Sequence, residues 1–363
     1  MRGHQRLSGL HRVAFVVAVA VALVAMGPGH AIAKETVRIS LFSWPGYGFW
    51  FVIKEKNLAP NLDLDIQIIE DPLQSFGMMT AGQLDVMSST SEFGPIAVER
   101  GMPVRLVAFA NLSYGTDQII AAAGVNSPAD VKGKKVAVMV GGLQQIFVGK
   151  WLEDGGVDPN SVEYVNVIMD DAAAAMMGGD VAAGELWEPY ASQVLAGLEG
   201  AKKVADSRDE EWAKTGLLAD AVYMNAEFIR NKRDAAVELM AALYKAVDLW
   251  KSNPAEVNRI IAGGLKFDVK DVELVIGKDG GGIDAGLYPY TFAEAARFCG
   301  VMPGDPPFGQ KNGQIYAHWR LVNEWWIKFR QVNGAIPGAR GIDCSLHREL
   351  YETGYAGTPE PNY

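Results

Sequence analysis

Val37-Arg38-Ile39-Ser40-Leu41-Phe42 alternates apolar and polar side chains. Ser43-Trp44-Pro45-Gly46-Tyr47-Gly48 interrupts it, and residues 49–56 then take on helical character. A β-rich run, a Pro-Gly break and a helix in that order open a β-α unit. The unit recurs at once: residues 64–69 alternate as a strand, 74–81 fit a helix, and 84–87 form a short apolar strand. The hydroxyl-rich stretch 88–91 leads into a helix at 93–99, with Ser and Thr suited to cap it. Residues 104–110 are again strand-like. Strands alternating with helices predict an α/β fold with a largely parallel sheet.

A second series follows. Strands are expected at 118–123, 135–140, 162–167 and 181–187, with a helical turn at 127–130 and helices at 144–154 and 171–177. Residues 221–225 read as a returning strand. Beyond Asp234 the chain is mostly helical, at 235–252, 254–262, 291–298 and 314–332, and the Pro- and Gly-rich tail after Gly334 is expected to wrap the surface. Two α/β series predict a two-lobed body. Residues 34–116 and 222–363 form lobe one with a helical C-terminal extension, and 117–221 form lobe two. A ligand cleft lies between them at the C-terminal ends of the strands.

The first 33 residues read as an export leader. Arg2, Arg6 and Arg12 make a basic start without an acid, residues 13–26 are apolar, and Ala31-Ile32-Ala33 offers the small-x-small pattern of a signal peptidase site. The apolar run is shorter than the ~20 residues that span a bilayer. Cleavage before Lys34 and a periplasmic location are expected; an uncleaved anchor is the alternative. No Cys stands at the cleavage site to carry a lipid.

Three of the 33 basic residues and none of the 43 acidic ones lie in that leader, so the remainder is strongly acidic. An acidic chain does not provide a basic nucleic-acid surface, and it suits a self-repelling soluble monomer. Of five histidines only His318 and His347 follow the leader, which excludes a His-rich metal centre. No Gly-x-Ser-x-Gly elbow and no phosphate loop occur, and no cofactor is called for. The Gly-rich stretch 277–286, with Asp279 and Asp284, lacks the ligand spacing of a helix-loop-helix calcium site and reads as a surface loop. Cys299 and Cys344 pair as one disulfide in an oxidising compartment or stand as two buried thiols.

Four stretches carry a resemblance: Trp44-Pro45-Gly46-Tyr47; Gly82-Gln83-Leu84-Asp85-Val86 running into the hydroxyl turn; Tyr114-Gly115-Thr116-Asp117, with Asp130-Val131-Lys132-Gly133-Lys134-Lys135 beyond it; and Gly184-Glu185-Leu186-Trp187-Glu188-Pro189-Tyr190. In this order they resemble the nitrate/sulfonate/taurine family of ABC-transporter periplasmic substrate-binding proteins, over residues 37–260. The resemblance implies a type II periplasmic-binding-protein fold, hinge closure on a solute, no catalysis, and an inner-membrane ABC permease as partner.

The candidate ligand-binding residues follow from the cleft geometry. Trp44 and Tyr47 stack on a planar or cationic group, or else pack the turn. Ser89, Thr90, Ser91 and Glu92 precede a helix and either cap it or meet a ligand. Thr116 and Asp117 lie on the first crossover. Gly142 and Gln144 open a lobe-two helix where the family's sulfonate binders commonly offer a hydroxyl; this chain has Leu143 and Gln144 there, which argues against a sulfonate. Glu188 stands where similar proteins hold a ligand amine. Tyr223 lies on the returning strand, and Asp170 and Asp171 are placed at a strand end. Together the acids predict a small nitrogen-containing solute such as an amine, amidine or aminopyrimidine. A sulfonate, taurine or nitrate binder, and a carboxylate-based metal-ion binder, are the alternatives. Trp319, Trp325 and Trp326 are expected to pack a C-terminal helix onto lobe one.

Overall fold

The structure, a computed structural model, describes residues 34–281 and 285–357. The leader, Asp284 and the last six residues lie outside it. Two sheets organise the chain. The first has six strands in the order β11-β4-β10-β3-β1-β2, formed by β1 (Glu35–Leu41), β2 (Leu62–Ile68), β3 (Val86–Thr90), β4 (Val104–Ser113), β10 (Ala219–Asn225) and β11 (Leu287–Pro289). The second has the order β7-β6-β8-β5-β9, formed by β5 (Asp117–Ala121), β6 (Lys135–Val138), β7 (Glu163–Asn166), β8 (Ala183–Trp187) and β9 (Lys202–Asp206). The two-lobed α/β architecture is therefore present. Among the described residues no helix is long and apolar enough to cross a membrane.

The sheets are less parallel than expected. β1 pairs with β3 in parallel, and β6 with β7 and β8, but β10 runs antiparallel to both β3 and β4, and β5 antiparallel to both β8 and β9. The reason is topological. β5 and β10 follow the two crossovers between sheets, so each enters its sheet from the cleft side, against the parallel strands. Asp117, the first residue of β5, and Asp220, the second of β10, are consequently delivered to the C-terminal edge of the parallel strands, where ligands bind in open α/β sheets.

Burial explains the strands' composition. β3 is covered on both faces, with Val86, Met87, Ser88 and Ser89 all buried, and a doubly covered strand does not alternate. The helix Arg233–Ser252 instead buries one stripe, including Leu239, Leu243, Val247 and Trp250, at three- and four-residue spacing. Thr291 and Glu294 form a reciprocal capping box on the helix Phe292–Phe298.

Three expectations are corrected. Ser88, Ser89 and Thr90 are strand residues; the cap of the helix Phe93–Glu99 is Glu92, with no side-chain capping bond. The ladder to β10, which sets Ser89 opposite Ala221, holds the hydroxyl segment extended. Asp170 and Asp171 do not end a strand but sit in the first turn of the helix Met169–Gly178, where acids complement the helix dipole. The stretch after Gly277 is partly interior: Gly286 accepts a hydrogen bond from the Tyr114 amide, and a Cβ there would stand 2.1 Å from the Thr116 methyl.

The C-terminal segment is built rather than draped. Cys299 and Cys344 are joined, with Cα atoms 5.6 Å apart, pinning the helix Ser345–Glu352 beside Phe292–Phe298. The helix Gln314–Lys328 meets both sheets' layers. Trp319 lies where a Cβ on Gly94 would be 2.3 Å from its ring, and Trp326 Nε1 donates to the Glu92 carbonyl at 2.7 Å. Those contacts are to lobe one. On the other side, Phe329 lies where a Cβ on Gly149 would be 2.5 Å from its ring, and Lys328 pairs with Glu153. Both partners belong to the helix Leu143–Asp154 of lobe two. Gly94 and Gly149 are thus needed for close approach, not for backbone freedom.

Candidate functional site

The two crossovers are tied to each other. Ser113 Oγ lies 2.7 Å from both Thr116 Oγ1 and Ser207 Oγ, and the Gly115 amide donates to Ser207 Oγ at 2.6 Å. A small cavity with about 20 Å³ of free space lies over them, lined by Phe42, Trp44, Tyr47, Thr90, Ser113, Asp117, Leu143, Gln144, Trp187, Leu218 and Asp220. No Lys, Arg or His is among those residues.

Asp220, on β10, is the centre of the first sheet's side of the cavity, which corrects the expected boundary at 221. The ladders place it opposite Thr90 of β3 and Asn111 of β4. Its carboxyl accepts from Trp44 Nε1 at 2.8 Å and from the Tyr47 hydroxyl at 2.7 Å. These two bonds explain the Trp-Pro-Gly-Tyr turn: it returns both aromatic heads to a strand more than 170 residues away in sequence. Burial pushes Asp220 up to about 7, against the pull of those two donors.

Asp117 is its counterpart on lobe two. It pairs across β5 and β8 with Trp187. Burial raises its carboxyl, although Ser113 hydrogen-bonds it. Beneath it stands Glu185, fully buried and raised well above the ordinary carboxylate range, first by desolvation and then by the Asp117 charge. Phe42, Trp44 and Trp187 complete the aromatic wall: Trp187 is 5.7 Å from Phe42 and 6.0 Å from Trp44 between ring centroids. Phe42 meets Tyr47 edge-on at 4.9 Å. The Trp187 indole N–H is buried and lacks a hydrogen-bond partner.

Glu92 lies just behind the cavity, fully buried, and accepts from the Thr90 hydroxyl at 2.7 Å. Desolvation pushes it up to about 8, opposed by Thr90 and by the Leu143 amide at the start of the lobe-two helix. The helix start that an external anion would seek is thus met by an acid of this chain.

Of the residues expected from sequence, Trp44, Tyr47, Thr90, Asp117 and Gln144 line the cavity. Gly142 is the N-cap of the helix Leu143–Asp154, and a Cβ there would meet Gln144 Oε1 at 2.8 Å. The others are placed elsewhere. Ser89 and Ser91 are buried with unpartnered hydroxyls behind the wall. Thr116 is spent on the crossover. Tyr223 points to the opposite face of β10, where its hydroxyl donates to the Thr90 carbonyl and its ring meets Phe76. Glu188 does not line the cavity: its carboxylate accepts from Gln118 Nε2 at 2.7 Å and from Ser192 Oγ and N at 2.9 and 3.1 Å. Phe42, Ser113, Leu143, Trp187, Leu218 and Asp220 are cavity residues that sequence reading missed. Asp220 had one signal: it stands at the second crossover as Asp117 stands at the first.

His318 and His347 are buried away from the cavity, and burial lowers each to about 4. Among the described residues no group of three or more His, Cys, Asp and Glu is arranged to hold a metal ion.

Residues 58–257 match the family described as NMT1/THI5 like. A Brucella abortus protein that carries only the designation of a binding protein is 24% identical over 253 residues, covering 68% of this chain and 77% of its own. The alkanesulfonate-binding protein SsuA from Xanthomonas axonopodis pv. citri, solved with MOPS, superposes with a TM-score of 0.67 at 15% identity, covering 85% of this chain and 98% of its own. The periplasmic nitrate-binding protein NrtA from Synechocystis PCC 6803 gives 0.66 at 14% identity, covering 88% and 89%. At such identities the solved structures speak to the fold.

Proposed function

The chain belongs to the NMT1/THI5 like family, and from that premise we propose that it is the substrate-binding component of a periplasmic ABC importer whose cargo is a small solute bearing a protonated amine, amidine or aminopyrimidine-like nitrogen. No bond is made or broken in this role; the lobe built on the first sheet, which carries Asp220 on β10, and the lobe built on the second, which carries Asp117 on β5, close on the solute and present it to a membrane permease.

One observation carries the reading. The cavity holds an aspartate from each sheet within an aromatic wall, and no basic residue lines it. A buried carboxylate without a cation is expensive, and here the carboxyls answer by shifting upward. A cation between Asp117 and Asp220 relieves that cost. Indole and phenol faces around it add about 2 kcal/mol each when desolvated. Each side chain has a task. Trp44 and Tyr47 aim Asp220. Asp117 meets the cation from lobe two. Gln144, whose amide both donates and accepts, reads a neighbouring polar atom of the solute.

The same pair couples binding to closure. Asp117 and Asp220 repel, and that repulsion is part of what raises Asp220. Bringing the lobes together is therefore unfavourable when the cleft is empty and favourable around a cation, which is the differential affinity a ligand-driven population shift requires. A nitrate or sulfonate would meet Asp117 and Asp220 instead.

The test is a thermal-shift and calorimetric panel on the chain from Lys34 onward: amines, amidines and aminopyrimidines against taurine, alkanesulfonates, nitrate and divalent metals. A bound cargo at one hundred times its Kd stabilises the fold by about 2.7 kcal/mol. Stabilisation by cations with silence from anions supports the reading. The reverse pattern, or a response to metals alone, overturns it.

A further inference from the structure

A second and larger chamber adjoins the cavity. It offers about 190 Å³ of free space against about 20 Å³, and the two share Phe42 and Trp187 as a common wall. Its lining mixes apolar and polar groups: Met139, Ile168, Met169 and Phe267 stand beside Ser43, Glu70, Asp170 and Tyr190. Residues of both lobes line it: Phe42 and Glu70 come from the first α/β series, and Trp187, Met139 and Ile168 from the second.

The Phe42–Trp187 pair is a septum whose two halves belong to different lobes. Its ring centroids are 5.7 Å apart with a tilt of 32°. A rotation of one lobe on the other parts these rings and joins the chambers. The buried Trp187 N–H at this septum has no partner in the protein. A buried donor left unpaired costs about 1–3 kcal/mol, and an acceptor atom on a molecule passing the septum removes that cost.

Resting on the amine reading of the inner cavity, we infer that the cargo is elongated and amphipathic. Its cationic head lies between Asp117 and Asp220, an acceptor atom meets Trp187 Nε1, and an uncharged body of four or more heavy atoms runs into the outer chamber among Met139, Ile168 and Phe267. With about 20 Å³ of free space the inner cavity admits only a small cationic head, and the outer chamber, with about 190 Å³, is the room left for the body.

The experiment is a length series with a head-group control. Straight-chain ammonium compounds from methyl to hexyl, and sulfonates of the same lengths, are titrated calorimetrically into the unmodified protein and into Ile168→Trp. Ile168 is 39% exposed, so the larger ring fills the chamber without displacing core, and a melting curve checks the fold. Ile168→Phe serves as a milder blockade. The expected result is an amine affinity that rises about fourfold per methylene, the transfer increment for a buried CH₂, and then levels off. In Ile168→Trp the rise vanishes while the shortest amine binds as before. A flat amine series overturns the chamber's role but leaves the amine head standing. A rising sulfonate series with silent amines overturns the head and keeps the chamber. A rise that persists in Ile168→Trp overturns the placement of the body, and silence throughout overturns both.

Discussion

Asp220 at the start of β10 and Glu188 at the end of β8 are buried to nearly the same degree, 6% and 8% exposed. Each accepts hydrogen bonds from side chains around it. They differ in who the donors are. Asp220 is held by Trp44 and Tyr47, which themselves line the cavity. Glu188 is held by Gln118 and Ser192 of its own lobe, including the Ser192 backbone N–H at the start of the helix Tyr190–Gly197. The first carboxylate is held by residues that line the cavity with it; the second is consumed in closing a helix end. Burial and acidity alone do not identify a binding group. The ownership of its donors does.

The sharpest break of this contrast is Asp220→Asn. Removing the charge while keeping the shape is expected to lower cation affinity at least about 100-fold, roughly 2.7 kcal/mol, as for other buried charge pairs. Titration calorimetry reads it, and an unchanged Kd would remove Asp220 from the site.

Next in size is a pH dependence. Asp220 and Glu92 are raised to about 7 and about 8 from the ordinary 3.8 and 4.5. The folded, empty protein therefore holds protons that the unfolded chain has released. Their contribution to stability is complete below about pH 4 and is lost as pH rises through 7 and 8. Cation binding runs the other way, because it needs the ionised forms. Affinity should rise by up to about tenfold per pH unit between pH 6 and 8, with protons released on binding. Calorimetry in two buffers of different ionisation enthalpy counts those protons; uptake instead of release would contradict the scheme.

Trp44→Phe sharpens the contrast further. The ring face remains but the donor to Asp220 is lost, so affinity should fall about tenfold, the worth of a hydrogen bond to a charged group. The smallest effect on binding belongs to Glu188→Gln. Cargo affinity should stay within about threefold, while the melting curve records a loss of about 1 kcal/mol from the weakened helix start. An affinity loss as large as that of Asp220→Asn would erase the distinction between the two carboxylates.

The asymmetry between what could be read and what could not has a physical origin. The strand-turn-helix opening was legible because alternation and Pro-Gly punctuation are local. Trp44, Tyr47 and Asp117 followed from it, since turns and crossovers face a cleft. Asp220 did not, because Leu218-Ala219-Asp220-Ala221 embeds it among apolar residues. The returning strand also begins two residues earlier than its alternation indicates, with a register shift between Asp220 and Ala221. That shift decides which side chains face the cleft, and it depends on partners in β3 and β4 that no local pattern specifies. Tyr223 was lost to the same cause, lying on the far face. The Ser-Ser-Thr-Ser run was misread because its composition favours a turn, whereas ladder bonds to β10 impose a strand. Phe42 and Trp187 carry no site signal of their own in the sequence; only their position between two chambers separates them from packing. The late helix Ser345–Glu352 was hidden by the surrounding Pro and Gly and is fixed by a disulfide whose pairing sequence left open.

The helix Gln314–Lys328 touches Gly94 on one lobe and, through Phe329 and Lys328, the helix Leu143–Asp154 on the other. A hinge with such a splint does not swing freely. Any wide opening must shear an aromatic contact at Gly149 and an ion pair at Glu153. The Asp117–Asp220 repulsion pushes the empty cleft open, and the splint keeps that opening narrow. The consequence falls on unloading. In the proposed importer role, unloading then depends on how readily the splint yields.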